Sequence, residues 1–97
     1  MNTKQDLTKL VQQTREEVEN LTPDTVVEWL ENQLNVEVVM KTTSGEWVGA
    51  EVLTACGGPT VRVETRWKTV TGTWGEDKAT FPFRSSVLDD CLKELYG

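Results

Sequence analysis

Apolar positions recur every three or four residues in the first third of the chain and every second residue through its middle. Leu7, Leu10, Val11, Thr14, Val18 and Leu21 share one face of a helix, and Lys4, Lys9, Arg15, Glu16, Glu17 and Glu19 occupy the other. Thr3 followed by Asp6 has the form of a capping box at its start. Leu21-Thr22-Pro23-Asp24 ends this helix and opens a second, with Thr22 as N-cap and Pro23 at the first helical position. Val26, Val27, Leu30 and Leu34 form the second stripe, Trp29 lies near its edge, and Asn35 suits a C-terminal cap.

From Val36 the period becomes two. Val36, Val38 and Met40 alternate with Glu37, Val39 and Lys41, as in a half-buried strand. After a turn at 43–46, Trp47 to Ala55 reads as a second strand, with Val48, Ala50 and Val52 opposite Gly49, Glu51 and Leu53. Cys56-Gly57-Gly58-Pro59 closes a hairpin. The third strand turns Val61, Val63 and Thr65 to the core and Arg62, Glu64 and Arg66 to solvent, and Thr69 to Trp74 makes a fourth. Ala79 to Phe83 adds a fifth only at an edge, because Pro82 donates nothing to a ladder. Ser85 or Ser86 caps a last helix whose stripe is Val87, Leu88, Cys91, Leu92 and Leu95. The pattern predicts an α+β domain with two N-terminal helices, a four- or five-stranded antiparallel meander and one C-terminal helix packed on the sheet. One domain covers 1–97, divided into an acidic helical arm at 1–35 and the sheet plus closing helix at 36–97.

Charge adds direction to this outline. Ten basic and sixteen acidic residues give −6 over 97 residues, and residues 1–35 hold three basic and seven acidic. Free nucleic acid is a poor partner, because Lys and Arg on phosphate supply most of that affinity. A protein with a basic surface is a good one. Two readings of the arm stay open: a solvated helical face, or an acidic surface of Glu16, Glu17, Glu19, Glu28 and Glu31 that meets such a partner. No apolar run approaches a membrane span, and the N-terminus has neither the basic region nor the apolar core of a secretory signal, so a cytoplasmic protein is expected. Cys56 and Cys91 are then expected as reduced thiols acting as small buried hydrophobes.

No histidine is present, which removes the commonest general base, most zinc sites and the Ser/His and Cys/His nucleophiles. Gly57-Gly58 lacks the spacing and lysine of a phosphate loop. Glu64 between Arg62 and Arg66 reads as a cross-strand ion-pair site, and Asp89-Asp90 as first-turn acids complementing a helix dipole. No enzyme activity, metal or cofactor is expected. Four tryptophans are many for a domain of this size. Trp67, in a turn between Arg66 and Lys68, suits either packing or an interface anchor.

The segment CGGPTVRVETRWKTVTGTWG resembles small orphan proteins of bacterial phages, plasmids and conjugative elements, in which a GGP hairpin leads to V-x-x-x-T and V-x-G-x-W-G strands. Gly57 to Thr65 and Val70 to Gly75 carry the likeness, which runs from Thr54 to the end and leaves out the helical arm. The resemblance implies a host-defence inhibitor, as anti-CRISPR proteins are. The expected function is a non-enzymatic inhibitor, in the bacterial cytoplasm, that binds a basic, nucleic-acid-handling defence protein such as a CRISPR effector. Its contact residues would be the five glutamates above with Arg62, Glu64, Arg66 and Trp67. The alternative is an accessory module of a mobile element that assembles, as a homodimer or with a partner, through its N-terminal helices.

Overall fold

The computed structural model describes residues 3–97, with side chains from Lys4 onward. The order is α1 (Thr3–Glu19), α2 (Val26–Glu31), β1 (Asn35–Met40), β2 (Trp47–Ala55), β3 (Thr60–Glu64), β4 (Thr69–Trp74), β5 (Asp77–Pro82) and α3 (Val87–Tyr96). The five strands form one antiparallel meander in chain order, with β5 at an edge as its proline requires. Among the described residues the three helices lie on one side of the sheet, and no element covers the other.

The apolar stripe of α1 is spent on the sheet. Leu7, Val11 and Val18 are fully buried, and the helix lies on β4 and β5. Gly72 in β4 makes that approach close: a Cβ there would run into Val11 Cγ2 and lie 2.9 Å from Leu7 Cδ1. The segment expected as an arm is therefore the principal cover of the sheet. The capping box at Thr3 rests on a side chain outside the described residues. α3 covers β2, burying Leu88 and Leu92. Leu95, expected in the same buried stripe, is 54% exposed, because the last turn overhangs a groove shared with α2.

The second helix is shorter than its pattern. Residues 22–25 form a turn, with the Thr25 and Val26 amides both donating to the Thr22 carbonyl at 3.0 Å, so the helix begins at Val26 and not at Pro23. It ends at Glu31, where the Asn32 and Gln33 amides close onto the carbonyls three residues back. The Leu34 amide donates to the Leu53 carbonyl and Asn35 pairs with Leu53, so the sheet takes both residues from the helix. Neither serine gives α3 a side-chain cap from the N-cap position; Ser85 Oγ instead accepts the Val87 amide at 3.3 Å.

Two bulges in β2 adjust the faces. Between Met40↔Trp47 and Val39↔Gly49 the extra residue is Val48, and between Leu53↔Arg62 and Ala55↔Val61 it is Thr54. The first moves Trp47 to the helix side, where its indole reaches Asp89 of α3. Cys56 is exposed at the hairpin turn and not buried, because Gly57 at φ 102 carries the chain away from the core; Cys91 is half-buried and both thiols are free.

Candidate functional site

Strand register brings three glutamates into one row on the open face. Glu37 stands opposite Glu51, and Glu51 opposite Glu64, across β1, β2 and β3. Directly opposed side chains in a sheet have Cβ atoms about 4.5–5.5 Å apart, so like charges there repel. One row along, Arg62 stands opposite Leu53 and bonds Glu51 Oε1 from Nε at 2.7 Å. Arg62 thus answers Glu51 and leaves Glu37 and Glu64 without an ion pair among the described residues. Asn35, Glu37, Glu51, Leu53, Arg62 and Glu64 line a solvent-open hollow of about 360 Å³.

The row ends at the turn between β3 and β4. Beyond Glu64 the chain bends: the Thr65 amide donates to the Ala50 carbonyl, and Thr65 Oγ1 accepts the Ala50 amide at 2.9 Å. Gly49 makes room, since a Cβ there would stand 2.8 Å from Arg66 Cβ. Arg66 is thereby laid over the open face, and its guanidinium carbon sits 4.5 Å from the centre of the Trp67 ring. Trp67 is 62% exposed. The turn is held by Lys68, which takes φ 52, accepts the Phe83 amide at its carbonyl and donates from Nζ to the Arg84 carbonyl at 3.2 Å. A rigid turn presenting a large exposed indole is the form of an interface anchor.

The remaining sequence-derived candidates sit on the helical side. Glu16, Glu28 and Glu31 are exposed. Glu17 Oε2 accepts the Trp29 indole N–H at 3.4 Å. Glu19 is engaged within the fold: Oε1 accepts the Arg84 and Ser85 amides, each at 2.7 Å. The Ser85 amide, then the Arg84 amide, hold the Glu19 carboxyl below the usual carboxylate range. The nine candidates therefore divide between two sides of the molecule, with Arg62, Glu64, Arg66 and Trp67 together on one.

Sequence patterning did not single out Glu37 and Glu51, although it set each on the face opposite the alternating apolar residues of its strand. Their alignment with Glu64 depends on cross-strand register, which the turn lengths and the bulge at Val48 set. Asp89 stands in the first turn of α3 as its reading as a first-turn acid has it, but its link to the sheet was not foreseen: Oδ1 accepts from Thr65 Oγ1 at 2.7 Å and from Trp47 Nε1 at 3.1 Å. Among the described residues, no group of three or more His, Cys, Asp or Glu side chains is arranged to hold a metal ion. No helix there is long and apolar enough to cross a membrane. Set against protein families, characterised proteins and solved structures, the chain matches none.

Proposed function

We propose that the chain is a non-enzymatic inhibitor that binds a basic, nucleic-acid-handling protein through the open face of its sheet. The observation that carries this reading is the glutamate row ending at an exposed, arginine-stacked Trp67. Opposed glutamates cost the fold stability, and an uncovered face is where a positively charged partner would repay that cost. The sequence resemblance of residues 54–97 to proteins of phages and mobile elements, taken as kinship, implies a host-defence target. A CRISPR effector, which holds nucleic acid in a positively charged channel, fits that description. Assembly through the N-terminal helices is less supported, since α1 turns its apolar stripe to the chain's own sheet.

Capture from a bacterial lysate followed by competition tests the reading. The captured protein should bind nucleic acid, and the chain should displace that nucleic acid with a potency that falls as salt rises. Capture of a protein with no basic surface, or competition indifferent to salt, would remove the reading.

A further inference from the structure

Exposed apolar residues concentrate in one place. Of the eight large apolar side chains left exposed among the described residues, Val27, Leu34, Val38, Val39, Leu95 and Tyr96 lie on or beside β1. A groove between α2, β1 and the end of α3 joins Val27, Val36, Leu95 and Tyr96 into one surface. A patch of this kind beside a strand with a free edge marks an association surface.

The two edges of the sheet are built differently. β5 carries Asp77, Lys78 and Pro82 and lies against α1, whose Arg15 donates from Nε to the Pro82 carbonyl at 2.7 Å. Charge, proline and a covering helix are the usual means of blunting an edge. β1, with the sequence Asn-Val-Glu-Val-Val-Met, has Glu37 as its single charge and no proline, and among the described residues it pairs with β2 alone. The bulge beside it puts its extra residue, Val48, in β2, so β1 itself stays regular.

We propose that β1 pairs antiparallel with β1 of a second copy about a two-fold axis at Val39, joining two five-stranded sheets into one. The strand is self-complementary in that register. Val39 faces Val39 of the second copy on the open side, Val38 faces Met40 on the helix side, and Glu37 faces Lys41 twice over. Lys41 lies just past the end of the strand, and there Glu37 competes with Glu46, to which Lys41 Nζ is already paired at 3.3 Å. An axis at Glu37 would oppose two glutamates, and one at Val38 would leave Glu37 facing valine. Leu95 and Tyr96 extend the apolar contact beyond the strands. The union also sets the two glutamate rows side by side on one continuous open face.

Sedimentation equilibrium of the full chain tests this, from micromolar to millimolar concentration. A monomer–dimer equilibrium is expected. Glu37→Lys should weaken it at least tenfold by opposing two lysines, and adding Lys41→Glu should restore it. Both positions are exposed, so unchanged melting curves show that the variants fold. With Cys56 and Cys91 replaced by serine, Val39→Cys should cross-link copies on mild oxidation and Val38→Cys should not. A chain monomeric throughout hands the edge to some other strand and overturns the proposal. So does a dimer indifferent to the charge swap, one lost on Trp67→Ala, or one cross-linked through Val38→Cys instead.

Discussion

Oδ1 of Asp89 joins the closing helix to the sheet by accepting from both Trp47 and Thr65, while Thr65 accepts the Ala50 amide. Asp89→Ala would strand an indole N–H and a buried hydroxyl at once. The expected loss is about 2 kcal/mol, or roughly 10 °C in melting temperature for a chain of this size. Asp89→Asn, which keeps an acceptor, should lose less, and thermal melts of the two variants check the order. Glu19 is a second such residue, and it gives stability a pH dependence. Its folded pKa lies below the unfolded one, because the Ser85 and Arg84 amides bond the charged form. That contribution is present above the unfolded value of about 4.3 and is lost as pH falls through the folded value. Melting temperature should therefore drop more steeply on acidification for the native chain than for Glu19→Gln; parallel curves would show that the two hydrogen bonds add no linkage. The thiols differ as well: burial, then Glu94, pushes Cys91 up, so exposed Cys56 should alkylate first.

At the scale of the elements, the docking of α1 decides the fold. Gly72 lets the helix approach β4, and Gly72→Val would drive branched methyls against Leu7 and Val11. Overpacking of that kind costs about 1–3 kcal/mol. Leu92→Asp on α3 would bury an unpaired charge, with an expected cost of several kcal/mol. Denaturant titration separates the two losses, and a native-like midpoint for either variant would show that its helix is not packed as described. Strands and helix faces were legible in the sequence because each is decided within about ten residues by a period of two or 3.6. Trp47 was not, since a one-residue bulge at Val48 reverses its side and nothing in the alternation announces it. The end of α2 was hidden for a related reason: Leu34 continues a helical stripe, yet pairing with Leu53 draws it into the sheet. Where the stripe of the 1–35 arm would dock was not legible, because its close contact on β4 is Gly72, a residue with no side chain to signal one.

For the molecule as a whole, the charge of −6 is divided between a helical side with Glu16, Glu28 and Glu31 and an open side with Glu37, Glu51 and Glu64. Only the second has its carboxylates aligned by register, and only there does Trp67 stand at the end of the row. If the row serves binding, removing its repulsion should help the fold and harm association. Glu51 is unsuited to this comparison, since it pairs with Arg62. Glu37→Gln combined with Glu64→Gln should therefore raise stability by about 0.2–1 kcal/mol, an increase in melting temperature of a few degrees. The same pair should slow association with a basic partner about tenfold at low salt and flatten the dependence of the rate on ionic strength. Changing Glu16, Glu28 and Glu31 to Gln removes one more charge and should alter the rate less, because those groups lie on the opposite side of the sheet. Stopped-flow association with the captured partner, read beside thermal melts, measures both quantities. Equal on-rates for the open-face variant and the native chain would take the row out of recognition, and a larger effect from the helical variant would move the binding surface to the other side of the molecule.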